Sequence, residues 1–265
     1  MKERNHTNNR KVIVMLVFII LAIPEVVFAG GLFGPPQPVS KEEGGLNTAI
    51  GYWLHEDKFK NGTEHVIKQN QVYSHVGYGA RYWEIYARIG VSDLKISDAF
   101  ASTLDSTTTS KGDFWDNWKF YGTLGAKGFY PFNKTFGIGA FTQGSYSFND
   151  FRDNFSGTQA GAPFSSQLRV KNLWDVNFGL GFQATVPYGI KLYIGPYAYY
   201  SEARLSLAAN IPGLNSDTQN LRIHNETNVG GFTGIDIPIS RGFHLNVEGQ
   251  YSARFSAGAA IAYSY

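Results

Sequence analysis

Strict alternation of apolar and polar residues is the feature of this sequence that most limits its fold. Between residues 174 and 186 every second residue is apolar, and every residue between them is polar or glycine. A period of two is that of a β-strand with two different faces. Such a strand spans about 40 Å, whereas strands in soluble sheets usually have about five or six residues. The sequence therefore predicts unusually long strands.

The same alternation recurs along most of the chain. The other segments lie at 46–54, 72–80, 83–92, 118–127, 136–148, 190–198, 225–237, 243–251 and 255–265. The composition also favours strands, because aromatic residues, which are common in strands, reach 15%. Charged residues make up only 17%, against about 25% in ordinary soluble domains. We predict an all-β protein of ten antiparallel strands, with eight as the alternative.

The connections alternate between two lengths. Short turns are indicated at 79–82, 131–134, 187–189 and 238–242, and long polar stretches at 56–69, 95–113, 149–169 and 208–221. A closed transmembrane β-barrel places short turns at one end and long loops at the other. We expect residues 44–265 to form such a barrel.

The N-terminal region has the pattern of a secretory signal. Lys2, Arg4, Arg10 and Lys11 precede an apolar run at 12–23, and Pro24 breaks that run before Ala29. We predict a signal peptide at 1–29. The alternative, a transmembrane anchor, needs about 20 apolar residues, and Glu25 interrupts the run too early. Residues 30–43 are then a periplasmic lead-in, which its prolines keep out of the sheet.

The last segment carries a family resemblance. Phe255, Ala257, Ala259, Ile261, Tyr263 and Tyr265 alternate with small or polar residues. This pattern resembles the outer-membrane β-barrel superfamily that includes the small barrels of the outer-membrane protein A type. The resemblance implies a place in the bacterial outer membrane. Because a closed barrel has no open strand edge that demands a partner, we expect a monomer surrounded by outer-membrane lipid. The resemblance also implies that Phe255, Ile261, Tyr263 and Tyr265 form a signal for the barrel-assembly machinery, with Tyr where the family usually ends on Phe.

A water-soluble barrel or sandwich is the competing interpretation. Lipocalin-like proteins also alternate, but their apolar face points inward and their polar face is charged. In this chain the polar face consists largely of Gly, Ser, Asn, Gln and Tyr, which suits a narrow lumen. Five tryptophans are expected at the membrane interfaces, with Trp83 on the periplasmic side and Trp53, Trp115, Trp118 and Trp174 toward the long loops.

The charges on the inward face define the candidate site. They are Glu84, Arg88, Lys119, Lys127, Asp175, Lys191, Asp236, His244 and Glu248. Buried charges need partners, so we predict a paired polar network that plugs the lumen. The alternative is a narrow pathway for ions or small solutes. If the lumen is plugged, we expect a structural role or a surface-recognition role of the long loops, whose partner the sequence does not reveal.

Catalysis is the remaining alternative. Omptin proteases are ten-stranded barrels with acidic residues and histidine at the outer rim, and the chain has His55, Glu56 and Asp57, then Asp217, His224 and Glu226. Their spacing matches no omptin motif. The sequence has no nucleophile-elbow motif, no histidine pair at metal-ligand spacing and no phosphate-loop motif. Cysteine is absent. The net charge of +2 is too small to indicate a nucleic-acid-binding surface. We expect no enzyme, cofactor or metal, and no nucleic-acid partner.

Overall fold

The computed structural model describes residues 33–40, 44–61, 63–100, 107–159, 162–210, 218–225 and 228–265. The predicted signal peptide at 1–29 and its cleavage position at Ala29 lie outside these residues. No helix in the described ranges is both long enough and apolar enough to cross a membrane.

The described residues form thirteen β-strands and one 3-10 turn at Pro187–Gly189. The strands are β1 (Gly45–Asn61), β2 (Thr63–Ala80), β3 (Trp83–Ile96), β4 (Thr107–Thr109), β5 (Phe114–Pro131), β6 (Phe136–Ser147), β7 (Phe151–Gln159), β8 (Ala162–Thr185), β9 (Lys191–Asn210), β10 (Thr218–Asn225), β11 (Val229–Ser240), β12 (Phe243–Tyr251) and β13 (Phe255–Ser264).

Ten of these strands close into an antiparallel barrel. Its order is β1, β2, β3, β5, β6, β8, β9, β11, β12 and β13, and the pairing of β13 with β1 completes the ring. Ile261 lies opposite Ile50 at that closure. The shorter strands β4, β7 and β10 extend the sheet at the long-loop end. The all-β fold, the closure and the strand number are confirmed.

Two regions expected to be loops are largely strand. Instead of a loop at 56–69, β1 and β2 continue as a hairpin as far as Asn61 and Thr63. Most of 149–169 belongs to β7 and to the start of β8. Together with β4, β10 and the neighbouring residues, these extensions form a collar at the long-loop end. We call it the crown: described residues within 55–69, 93–116, 151–173 and 202–225.

Below the crown, the ten barrel strands form a region that we call the band. The polarity of the inner and outer barrel surfaces inverts between the band and the crown. In the band, Ile50 and Leu124 point outward with 68% and 71% of their surface exposed. In the crown, Leu94, Phe114 and Phe151 point inward and are fully buried. A strand crossing lipid needs an apolar exterior, whereas one in water needs an apolar interior. The inversion fits a barrel whose lower part lies in a bilayer and whose crown lies in water.

Two β-bulges lie near this boundary. One lies on β5 between Asp116 and Lys119, which face Leu94 and Ser92 of β3. The other lies on β8 between Lys171 and Trp174, where Asn172 has a positive φ of 50°. A bulge places two residues opposite one, so it shifts which residues face outward. Trp115 and Trp118 consequently both point outward, although one is odd-numbered and the other even-numbered.

The prediction that Trp53 lies at a membrane interface is wrong. Trp53 is 1% exposed and packs against Tyr73 and Tyr121 inside the barrel. On β1 the odd-numbered residues, including Asn47, face the lumen, and the even-numbered Ile50 faces outward. Strand parity, rather than the size of the indole, decides the side. Trp83, Trp115 and Trp118 are exposed on the exterior, and Trp174 is partly exposed there.

Candidate functional site

The lower lumen holds most of the predicted charged residues. Glu84, Arg88, Asp236 and Glu248 are buried there. Strand register brings charges of opposite sign face to face, because Lys127 lies opposite Glu84 and Lys191 lies opposite Asp236. The structure therefore gathers these residues into one region of the lumen.

The contacts of these charges run mainly through neutral groups. Asn47 Nδ2 donates to Glu84 Oε2 at 3.0 Å and to Ser40 Oγ at 2.8 Å. Asp236 Oδ2 lies 3.0 Å from His244 Nδ1. Lys127 Nζ donates to the carbonyl oxygen of Pro35 at 3.4 Å. Neutral groups of the barrel wall and of the segment before β1 are thus part of the network.

Arg88 lies among aromatic rings, on the crown side of Glu84 and Lys127. Its guanidinium lies 5.0 Å from the ring centre of Tyr73 and 4.9 Å from that of Tyr86, which are cation–π distances. Arg88 Nε donates to His75 Nδ1 at 3.3 Å, and His75 Nε2 lies 3.0 Å from Asn47 Oδ1. These contacts fit a neutral imidazole with its proton on Nε2.

Residues 33–40 occupy the lumen, and we call them the lumen segment. Glu248 anchors this segment, because its carboxylate accepts the backbone N–H of Phe33 at 3.3 Å and that of Gly34 at 2.9 Å. The same carboxylate accepts Tyr193 Oη at 3.0 Å and Gln250 Nε2 at 2.8 Å. Four donors therefore compensate one buried negative charge.

An aromatic cage holds the inner end of the lumen segment. Phe33 is fully buried, with its ring centre 4.0 Å from that of Phe141, 5.1 Å from that of Tyr197 and 5.2 Å from that of Phe232. The latter two are edge contacts of the kind aromatic pairs favour. The cage fixes the ring across the middle of the lumen.

The lower half of the lumen segment matches the barrel wall closely. Gln37 and Gln183 form a reciprocal pair, with the Gln37 backbone N–H donating at 3.0 Å and Gln183 Nε2 donating back to Gln37 Oε1 at 3.1 Å. Pro36 lies against Gly139 and Gly181. A Cβ on Gly181 would come within 2.6 Å of Pro36 Cγ, so glycine leaves the space that the segment fills.

The sequence pattern predicts a periplasmic lead-in for these residues, whereas the structure places the lumen segment inside the barrel. Its prolines keep it out of the sheet, but the Phe33 ring packs in the aromatic cage and the backbone N–H groups of Phe33 and Gly34 bond to Glu248, all inside the barrel wall. Neither partner is visible from local sequence. The glycines at 139 and 181 on the inward face were the available signal, since they mark a close approach of another chain segment.

Above the lumen segment, the lumen contains a cavity of about 50 Å³. Asp175 lines this cavity and accepts Asn177 Nδ2 at 2.6 Å. The buried apolar cluster of the crown lies beyond it, including Leu94, Phe114 and Val170. The lumen segment therefore occupies the passage from below, and the buried apolar side chains of the crown line the space above it.

The remaining predicted residues lie apart from this network. Lys119 is at the crown boundary, where its Nζ pairs with Asp116 at 3.2 Å. His55 faces the lumen near Ser256, whereas Glu56 pairs with Lys68 at 2.6 Å. His224 stacks on Tyr200 on the exterior. Asp57 is fully buried and accepts a hydrogen bond from Tyr199 Oη at 2.9 Å. The remaining rim candidates, Asp217 and Glu226, lie outside the described residues.

The crown encloses a second cavity of about 480 Å³. Its lining is mostly apolar, and the polar contributions come from His65 and Asn220. The apolar lining residues are Ile67, Ile96, Ala99, Phe100, Phe155, Leu168, Leu205, Leu207, Leu221 and Ile223. Within the described part of the chain, no cluster of three or more His, Asp or Glu could hold a metal ion.

Neither a protein-family model nor a curated protein matches the chain. Among solved structures, the translocator domain of the autotransporter NalP from Neisseria meningitidis is similar, with a TM-score of 0.46 and 12% identity over 83% of this chain and 88% of that one. The transport unit of the autotransporter AIDA-I from Escherichia coli is also similar, with a TM-score of 0.42 and 11% identity over 83% and 90%.

Proposed function

We propose that this protein is a closed outer-membrane barrel that does not conduct, and that its crown is the working surface for recognition outside the cell. The observation that carries the proposal is the occupied lumen, in which Glu248 and the aromatic cage hold residues 33–40. Ions crossing this lumen would have to displace a segment whose amides bond to a buried carboxylate.

The exterior supports the membrane placement. A continuous band of exposed Leu, Ile, Val and Phe side chains surrounds the barrel below the crown, and a closed barrel has no free strand edge that demands a partner. We propose a monomer in outer-membrane lipid, inserted by the assembly machinery through β13. Kinship with the outer-membrane protein A type in particular rests on the resemblance of that terminal strand.

Two measurements test this proposal. An unboiled sample should migrate differently from a boiled one on a detergent gel, as folded membrane barrels do, and the refolded protein in planar bilayers should give little conductance. Deleting residues 33–40 should produce steady conductance. A second variant, Phe33→Ala, should raise conductance if the deletion fails to fold, whereas Phe148→Ala on the exterior should not. Steady conductance in the unaltered protein would support the channel alternative instead.

The cavity in the crown favours a second, compatible function, the binding of a small apolar molecule. About 480 Å³ is within the range of about 300–1,000 Å³ typical of ligand pockets. An environment-sensitive apolar dye should bind the unaltered barrel, and Ala99→Phe should weaken binding by filling the cavity. The control is Ala126→Phe on the lipid face. Equal dye binding by both variants would contradict this function.

An enzymatic role is not proposed. His55 points into the lumen while its neighbour Glu56 pairs with Lys68, and His224 lies on the exterior against Tyr200. His55 and His224 thus lie on opposite sides of the barrel wall and do not meet at one substrate position. Incubation of the folded protein with a mixed peptide library, followed by mass spectrometry, tests the omptin-like alternative. Cleavage at defined positions would establish it.

A further inference from the structure

The outer surface of the crown carries a group of basic side chains that the closed-lumen proposal does not use. Arg152, Arg169, Lys171, Arg204 and Arg222 lie on the adjacent strands β7, β8, β9 and β10. Their inward-pointing neighbours Phe151, Val170, Ala203 and Ile223 are buried, so strand alternation directs all five outward. We call this surface the basic face.

Strand register places these cations directly opposite one another. Arg152 pairs with Arg169 across β7 and β8. In the next row, Lys171 lies opposite Arg204, which lies opposite Arg222. Side chains in such pairs have Cβ atoms about 4.5–5.5 Å apart, and like charges there destabilise a sheet. An external anion would stabilise two adjacent rows of this kind.

The described carboxylates on this surface offset only part of the charge. Asp150 lies 3.7 Å from the Arg152 guanidinium, and Glu202 lies 3.4 Å from Arg222 Nε. The Asp116 carboxylate accepts the Arg152 backbone N–H at 2.6 Å, but it is paired with Lys119. Apart from that ion pair, five cations face two carboxylates among the residues described there. Asp153, on the same strand as Arg152, bonds instead to Lys111 and to the backbone N–H of Trp115.

The position of the basic face along the strands, relative to the aromatic residues below it, indicates which kind of anion it would bind. Trp174 and Tyr200 pack together just below it, with ring centres 5.5 Å apart, and Glu202 lies opposite Trp174. Arg204 follows Glu202 by two residues, about 7 Å along the strand. Tryptophan and tyrosine settle at the level of lipid headgroups. The basic face thus lies where headgroup phosphates of the outer leaflet would be.

We propose that the basic face binds a phosphorylated lipid of the outer leaflet, with arginine side chains on the headgroup phosphates and its chains along Trp174, Tyr200 and Val176. Guanidinium groups match phosphate oxygens in a bidentate geometry. A lipid, rather than a free phosphate, is favoured because the apolar band begins directly below the cations. The inference rests on the proposed membrane placement and goes beyond the closed lumen.

The test uses the full chain folded in detergent micelles and titrated with lipid A, a bisphosphorylated glycolipid, while native mass spectrometry counts the bound lipid. Each basic residue near an anionic lipid surface changes affinity about fivefold, so Lys171→Gln with Arg204→Gln should weaken binding roughly 25-fold. A matched control removes two exposed charges from the opposite end, Lys134→Gln with Arg241→Asn, and should bind like the unaltered protein.

Thermal unfolding, followed by gel mobility, gives a second readout. Without lipid A, the double variant at 171 and 204 should unfold at the same temperature as the unaltered protein or higher, because like-charge repulsion is relieved. With lipid A, only the unaltered protein and the control should gain several degrees.

Equal affinity of all three proteins would overturn the proposal. It would also be overturned if a phosphate-free glycolipid bound equally well, or if inorganic phosphate alone gave the same stabilisation. Loss of the folded gel band in every sample would instead contradict the membrane-barrel proposal itself.

Discussion

The carboxylate of Glu248 on β12 accepts the backbone N–H of Gly34 at 2.9 Å, which ties the lumen segment to the barrel wall across most of the chain. The carboxylate is buried and has four donors around it. Replacing this carboxylate should lower the free energy of unfolding, because each buried donor left without an acceptor costs its free energy of desolvation. The stability of the barrel and the occupation of its lumen are therefore coupled at one residue.

Glu248→Gln should lower the free energy of unfolding by about 1.5–3 kcal/mol, because an amide presents one acceptor oxygen and turns an NH₂ group toward backbone donors. Urea unfolding of the barrel refolded in lipid vesicles measures this loss. Glu56→Gln is the control, since Glu56 pairs with partly exposed Lys68, and it should change the value by less than about 0.5 kcal/mol. Similar losses in both variants would argue against an anchoring role for Glu248.

Gly181→Ala should displace the lumen segment. The added Cβ would lie 2.6 Å from Pro36 Cγ and 3.2 Å from Phe232 Cζ, so one of these groups must move. Overpacking of this kind costs about 1–3 kcal/mol, and conductance in planar bilayers should rise as the segment loosens. Gly144→Ala adds a methyl whose nearest neighbours are at 3.6 Å and should leave both quantities unchanged. Unchanged conductance in Gly181→Ala would mean that Pro36 does not seal the lumen.

Leu124→Arg should destabilise the barrel by about 2–4 kcal/mol, because a charge would enter the lipid-facing band. Leu124 is in the middle of β5, and its side chain is among the most exposed apolar groups of the barrel. Ser156→Arg on the exposed face of β7 is the matched change in the crown and should have little effect. Unfolding in vesicles compares the two. If both cost the same, the band would not be in lipid.

The strand number and the faces of the band could be predicted from the sequence because an apolar exterior imposes one requirement on every strand. Each outward residue there must be apolar, so alternation appears directly in the sequence, as at residues 174–186. The crown strands obey the opposite requirement. At Ile67 and Lys68, the apolar residue turns inward and the polar residue outward, and two short strands with inverted polarity look like one polar loop.

The lumen network was only partly predictable for a different reason. Parity identifies Glu84, Lys127 and Glu248 as inward, and register then aligns the first two. Their actual partners, however, include Asn47 and the lumen segment, whose positions depend on space left by distant glycines. Such complementarity is a property of the closed barrel, and a single strand does not encode it.

Acid should loosen the crown loop that precedes β5. Lys95 Nζ lies 2.7 Å from Asp113 and the backbone N–H of Asp98 donates at 2.9 Å, and these contacts lower the pKa of the Asp113 carboxyl. A lowered folded-state pKa gives stability that is present above the ordinary value of about 3.9 and is lost as pH falls through the folded value.

Hydrogen exchange at the Asp98 amide should accelerate, relative to intrinsic rates, as pH falls below about 4. The effect is small, because exposed pairs contribute at most about 1 kcal/mol. Asp113→Asn should show the loosened exchange already at neutral pH and no further change on acidification. Acid loosening that persists in that variant would assign the effect to another group.

The two environments of tryptophan give the sharpest test of the barrel parity. Trp83 is 45% exposed on the exterior beside the turn from β2 to β3, whereas Trp53 on β1 is enclosed by Tyr73 and Tyr121. Variants that keep one of these tryptophans, with the other four replaced by phenylalanine, should differ in quenching by brominated lipids. Trp83 should lose most of its fluorescence and Trp53 almost none, because bromine on an acyl chain reaches only the outer surface. Strong quenching of Trp53 would mean that β1 is shifted by one residue, which would also turn Asn47 out of the lumen and remove its bonds to Ser40 and Glu84.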